Sequence, residues 1–332
     1  MNNRLNITVV VPTYQRSDYL KNCLRSLFQQ TRLPEQICVI VRDTDFPTHA
    51  AVRDFLDQET QPDHVKIEIV QIMQAGFLPP VQAGINAAQS DIVVFIDDDS
   101  EAEPDWLERL EKHYEDPRVG GTGGRVVKFF NRVEAKYKTA KVFGKCFWYG
   151  RCEGNLYRDS ASAKTISVDG FMGSNMSYRK KVLDKVQLDW TLKNGTAYQY
   201  ELDLGLQIKA LGYRLIYDPL AKVRHYEAAA SEFPQRFSRA ETIYWMSFNT
   251  TYIVFKHNRG WKRWCSLVYE IFIGQSMRWG VLALAWYLFR FKKMPLFFSA
   301  SCAGRFAGIK AALTARPRAV SAVKIPLPVD LC

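Results

Sequence analysis

Short apolar runs alternate with stretches of helical period through the first hundred residues. Residues 7–11 form a β-branched run, residues 18–28 set Tyr19, Leu20, Cys23, Leu24 and Leu27 at helical spacing, and residues 37–41 form a second apolar run. This βαβ unit is followed by a helix near 48–56, a strand at 65–70, a helix at 80–88 and a strand at 92–96. Apolar strands separated by amphipathic helices predict a parallel sheet covered by helices. Such sheets bind ligands beyond the carboxyl ends of their strands, so chemistry is expected at residues 12–16, 42–45 and 97–99. A helix at 201–211, stopped by Gly212, and a strand at 213–217 close the α/β part. Upstream of them, Gly120-Gly121-Thr122-Gly123-Gly124 is followed by a basic, aromatic stretch to Tyr157 that carries no period and reads as a loop over a site, and no element is assigned there. From about Phe237 the sequence is helical, basic and aromatic, and the tail after Ala315 reads as loosely ordered.

Charge divides the 332 residues unevenly. Residues 1–221 hold 28 Lys and Arg against 29 Asp and Glu, whereas residues 222–332 hold 17 against 5. The basic part also holds Trp245, Trp261, Trp264, Trp279 and Trp286, five of the eight tryptophans. Tryptophan and basic residues beside apolar runs point to an anionic membrane surface as partner; nucleic acid is not expected. The uncharged run at 280–289 has 10 residues, short of the ~20 needed to span a bilayer. It and the run at 294–304 read as interfacial or re-entrant helices, the alternative being a packed helical hairpin or a subunit contact. The N-terminus runs into a strand with no leader-like segment, and the seven cysteines form no CxxC pair. These features predict reduced thiols and a cytoplasmic location, peripheral at the inner face of the membrane.

No GxGxxG or Walker lysine loop follows the first strand, so dinucleotide and P-loop chemistry is excluded by pattern. The sharpest feature is Phe95-Ile96-Asp97-Asp98-Asp99, three carboxylates at a strand end. Like charges gathered there require a cation or donors. Mg²⁺ or Mn²⁺ with a diphosphate meets that need, the alternative being a solvated acidic turn. Alternation along the strand sets Asp97 and Asp99 on one side and Asp98 on the other.

Together the motifs resemble the family 2 glycosyltransferases. The resemblance rests on Val9-Val10-Val11-Pro12-Thr13-Tyr14, Ser26-Leu27-Phe28-Gln29-Gln30-Thr31, the Asp97 to Asp99 run, Gly173-Ser174-Asn175-Met176-Ser177-Tyr178-Arg179, and Tyr200-Glu201-Leu202-Asp203-Leu204 followed by Asp218-Pro219 and His225. It implies an α/β fold of GT-A type over residues 1–230; residues 231–332 lie outside the match and read, on their own charge and tryptophan content, as a mainly helical, basic, membrane-associating extension. The resemblance further implies inverting, metal-dependent transfer from a nucleotide-diphosphosugar to a saccharide or lipid-linked acceptor in polysaccharide or glycolipid assembly. On this pattern Glu201 is the base, with ionisation favoured by its helix N-terminus, and Asp99 and His225 hold Mn²⁺ or Mg²⁺. Pro12, Thr13, Tyr14, Arg16, Asp43, Gln82, Asp97, Asp98, Gly173 and Asn175 bind the nucleotide-sugar, with Asp45 as a second candidate for the base. Trp190 and Asp203 serve the acceptor. Two departures stand out: Arg42 occupies the usual Asp position after the second strand, and Val81-Gln82 replaces the usual Arg-Asn. They leave open a non-catalytic nucleotide- or glycan-binding scaffold; the other alternative, a nucleotidyltransferase, would share an α/β domain and a carboxylate-bound metal.

Overall fold

The computed structural model describes residues 4–160, 162–227, 238–275, 278–291 and 297–314. The chain begins β1 (Ile7–Thr13), α1 (Ser17–Phe28), β2 (Gln36–Arg42), α2 (Phe46–Gln58), β3 (Lys66–Ile72), α3 (Leu78–Ala87) and β4 (Ile92–Phe95). Each element matches one expected from the periodicity, with shifts of a few residues at the ends. Pro47 sits in the first turn of α2, and the Asp45 side chain caps that helix by accepting from the Thr48 N–H. β1 to β4 are mutually parallel in the order β4-β1-β2-β3. Val9, Val11, Ile37 and Val39 bury one face with α1, while Val10, Cys38, Ile40 and Val93 bury the other with α3.

The next elements are β5 (Ser100–Ala102), α4 (Trp106–Lys112), β6 (Val119–Phe130), β7 (Val133–Glu134), the hairpin β8 (Lys145–Cys146) and β9 (Cys152–Glu153), β10 (Ile166–Val168), β11 (Met176–Arg179), α5 (Lys180–Leu183), α6 (Tyr200–Ala210) and β12 (Arg214–Glu227). Here the sheet is mixed rather than parallel throughout: β11 runs antiparallel between β4 and β6, and β12 lies parallel to β6. The glycine run, to which the sequence assigns no element, is the start of the central strand β6. Gly121 and Gly123 lie against the Tyr178 and Phe171 rings, and a Cβ on Gly124 would fall 1.7 Å from Ala221 O. Close approach of neighbouring strands demands glycine there and erases the side-chain pattern by which a strand is read. β12 is much longer than expected. It passes an irregularity between Asp218 and Lys222 and carries His225 alongside β5.

The C-terminal part is helical: α7 (Arg239–His257), α8 (Trp261–Phe272), the short strands β13 (Gly274–Gln275) and β14 (Arg278–Trp279), α9 (Val281–Phe291) and α10 (Phe298–Thr314). A Ser238–Glu241 capping box starts α7. The expected helical start at Phe237 and the tail after Ala315 lie outside the described residues. α10 packs on α7 through Gly304 and Gly308, whose Cβ positions would meet Tyr244 O and Phe248 O at 2.2 and 2.6 Å. The described part of the 294–304 run thus belongs to a packed helix pair, as in the packed-hairpin alternative. α9, holding residues 281–289 of the other run, buries no residue. Among the described residues no helix is long and apolar enough to cross a membrane.

Candidate functional site

The carboxyl ends of β1 and β4, with α6, β12 and α7, enclose a cleft of about 1540 Å³. Asp97, Asp98 and Asp99 lie at its floor just past β4, and β12 brings His225 over them. His225 Nε2 lies 2.9 Å from Asp99 Oδ1 and 3.8 Å from Asp97 Oδ2. Asp98 turns the other way, accepting from Thr13 Oγ1 at 2.7 Å, and Arg16 Nη1 bridges Asp99 at 2.7 Å and Asp98 at 3.3 Å. Burial, then the Asp99 charge, raises Asp97 to about 6 and Asp98 to about 7. Asp99 moves the opposite way: burial would raise it, but His225 and Arg16 together hold it below the ordinary carboxylate range. Burial likewise disfavours the His225 cation, yet Asp99 and Asp97 keep its pKa above the usual histidine value.

Asp97, Asp99 and His225 offer ligand atoms within 4.8 Å of one another. Asp99 Oδ1 and His225 Nδ1 are buried without an aligned hydrogen-bond partner. Two carboxylates and an imidazole converging in this way fit a divalent cation.

Glu201 faces the same cleft from the first turn of α6, and its Oε1 accepts the Gly173 N–H at 3.0 Å. A Cβ on Gly173 would stand 3.0 Å from that oxygen and 3.2 Å from Tyr200 Oη, so a larger residue there would displace the carboxylate by a few tenths of an ångström. The residue before α6, Gln199, is held at φ 66°. The helix N-terminus does not keep Glu201 at an ordinary pKa. Burial dominates, and with Asp97 nearby it pushes the carboxyl up to about 7.

Pro12, Thr13, Tyr14 and Arg16 line the cleft with the three aspartates, Gly173, Glu201 and His225. Six other expected site residues are not brought to it. Asp43 lies outside the lining and faces Arg42 Nε at 3.7 Å. Gln82 borders a separate small pocket and donates to Asn86, leaving Val81 to face the cleft. Asn175 is fully buried; it accepts from Trp106 Nε1 and donates to Arg125 O and Ala221 O, tying β11 to its neighbours. Trp190 begins a single 3₁₀ turn outside the lining. Asp203, 1% exposed, binds Lys256, His257 and Gln207, joining α6 to α7. Asp45, also buried, receives the Gln15 N–H at 2.6 Å and shapes the loop after β1.

Several cleft residues were missed. Arg42 lines it, with its guanidinium carbon 6.0 Å from the Tyr14 ring centroid and its Nε lacking a hydrogen-bond partner. Their signal was present in the Arg at the expected Asp position. Residues 152–157 form part of the wall, in keeping with the expected position of that stretch over a site. Arg239, Thr242 and Met246 from α7 complete the wall and had no sequence signal.

The family model for glycosyl transferase family 2 matches residues 8–187. A glucosyl-dolichyl phosphate glucuronosyltransferase of Haloferax volcanii is 25% identical over 229 residues, covering 67% of this chain and 69% of its own. A mannosyltransferase of Pyrobaculum calidifontis, solved with GDP-Man and Mn²⁺, superposes with TM-score 0.52 at 15% identity over 94% of this chain and 88% of that one. GalNAc-T7, solved with UDP, GalNAc and Mn²⁺, gives TM-score 0.57 at 11% identity over 77% of this chain; this chain spans only 48% of its length. These two likenesses establish the GT-A fold.

Proposed function

The chain belongs to glycosyl transferase family 2, and on that premise we propose that it performs metal-dependent, inverting transfer of a sugar from a nucleotide-diphosphosugar to a lipid-linked acceptor. The observation that carries the reading is one cleft holding both the Asp97, Asp99 and His225 cluster and the Glu201 carboxylate. Residues 1–230 form the catalytic domain in this reading, and residues 231–332 the extension that brings it to the acceptor.

Glu201 accepts the proton of the acceptor hydroxyl as that oxygen attacks the anomeric carbon. Its pKa of about 7 suits this task, since it is substantially ionised at neutral pH yet basic enough to take the proton. The Gly173 N–H fixes the orientation of the carboxylate. On the donor side, Tyr14 and Arg42 offer a ring and a guanidinium to the nucleotide, and Asp98 and Asp99 hold Arg16 over the carboxylate floor. Asp97, Asp99 and His225 would hold the metal, Mn²⁺ suiting their mixed oxygen and nitrogen set better than Mg²⁺. When bound, it supplies positive charge against the departing diphosphate.

The lipid-linked acceptor is supported by the dolichyl phosphate-linked substrate named for the Haloferax relative. It is supported also by Trp261, Trp264 and Phe272 on α8 and Leu282, Trp286 and Phe289 on α9, all exposed beside a basic sequence. We infer a peripheral position on an anionic membrane surface, at the inner face of the cytoplasmic membrane. The test is Glu201→Gln in a sugar-transfer assay with lipid-linked acceptors: transfer is lost while nucleotide binding is retained. Undiminished transfer in that variant contradicts the assignment.

A further inference from the structure

Between β8 and β9, Cys146 and Cys152 are direct cross-strand partners. The neighbouring Phe147 N–H donates across the hairpin to Arg151 O at 2.7 Å, whereas the Cys146 N–H turns out of the ladder to Asp169 Oδ2 at 2.9 Å. The cysteines therefore occupy a non-hydrogen-bonded position, where facing Cα atoms approach to about 4.5 Å. That separation lies within the roughly 4.4–6.8 Å that a disulfide spans. Their Sγ atoms face each other at 2.6 Å, and both residues are half-buried, whereas Cys23 and Cys38 are buried in the core.

We propose that Cys146 and Cys152 form a thiol–disulfide exchange site that takes a low-molecular-weight disulfide of the glutathione class as its oxidant. Cys152 lines the cleft and meets that molecule first. Its thiolate attacks one sulfur of the small disulfide, forming a mixed disulfide and releasing one thiol. The Cys146 thiolate then attacks Cys152 Sγ, closing the protein disulfide and releasing the second thiol. Two protein thiols give up two protons and two electrons, which the small disulfide takes up as it becomes two thiols. The bond would staple a hairpin that joins two regions. Its base borders the cleft, while at its tip Trp148 and Tyr149 meet Trp261 and Tyr269 of α8 edge to face at 5.1 and 5.2 Å and Trp148 O accepts from Asn258.

The sequence supplies a direct test, because Lys145 and Arg151 immediately precede the two cysteines and trypsin separates them. The full chain is incubated with oxidised or reduced glutathione, blocked with N-ethylmaleimide, digested without reductant and mapped by mass spectrometry. Oxidised glutathione should yield peptides 146–151 and 152–158 joined by a disulfide, and reduced glutathione should yield both carrying maleimide. In Cys146→Ser, Cys152 should retain glutathione as a mixed disulfide. Recovery of both wild-type peptides as maleimide adducts after oxidation would overturn the proposal, as would cross-linking to Cys265 or Cys302 in equal yield. The wild-type map is decisive even where the variant does not fold, and it is independent of the glycosyl-transfer reading.

Discussion

Replacing Asp203 with Asn should lower stability and leave acceptor affinity unchanged, separating a structural role from the acceptor role its place in the sequence suggested. The buried carboxylate accepts from Lys256 Nζ at 2.7 and 2.9 Å, from His257 Nε2 at 2.7 Å and from Gln207 Nε2 at 2.8 Å. Removing one partner of a buried ion pair costs about 3–5 kcal/mol. The lower end applies, because Lys256 is 27% exposed and keeps Asp189 at 2.8 Å. At about 2–4 °C per kcal/mol, a loss of about 3 kcal/mol lowers Tm by roughly 6–12 °C. Differential scanning fluorimetry of the full chain measures the fall, and steady-state kinetics well below Tm should return a wild-type acceptor KM. An unchanged Tm with a raised acceptor KM would refute the reasoning.

Glu201, with its pKa near 7, must be ionised to act as base, so kcat/KM should climb about tenfold per pH unit below that value and level off above it. Glu201→Gln should give a flat profile about 10²–10⁴-fold lower; a wild-type profile with no ionisation between about pH 6 and 8 would count against the base. Gly124→Ala forces a Cβ onto Ala221 O and should cost about 3 kcal/mol or more in denaturant unfolding. Gly154→Ala, with open space around it, should stay within about 0.5 kcal/mol of wild type. Arg42→Ala should weaken nucleoside diphosphate binding about tenfold in calorimetry, the scale of a lost charge-assisted hydrogen bond; an unchanged Kd would show that Arg42 does not touch the nucleotide.

The first half of the sheet was legible because β1, β2 and β4 are buried on both faces and α1 shows its stripe of Leu20, Leu24 and Leu27. β6 was not, since its glycines are dictated by the Tyr178 and Phe171 rings and the Ala221 carbonyl, all distant in sequence. The same divide runs through the site. The Asp97 to Asp99 run and Glu201 sit at element ends, where a local motif and the local geometry coincide. Asn175 and Asp203 lie within equally telling motifs, yet one ties strands together and the other joins α6 to α7, because direction and burial come from the tertiary fold. Arg239 and Met246 reach the cleft only because α7 packs beside α6.

The most direct measurement is a thermal-shift titration of the full chain with UDP, GDP, dTDP, CDP and ADP, each with Mn²⁺, Mg²⁺ or EDTA, repeated on Asp99→Asn. A metal-dependent donor site predicts a rise for one nucleotide with Mn²⁺ that is absent in EDTA and in the variant, with stabilisation of ~2.7 kcal/mol at ~100 times Kd. A nucleotide shift that persists in EDTA and in Asp99→Asn, or no shift with any nucleotide, would contradict it.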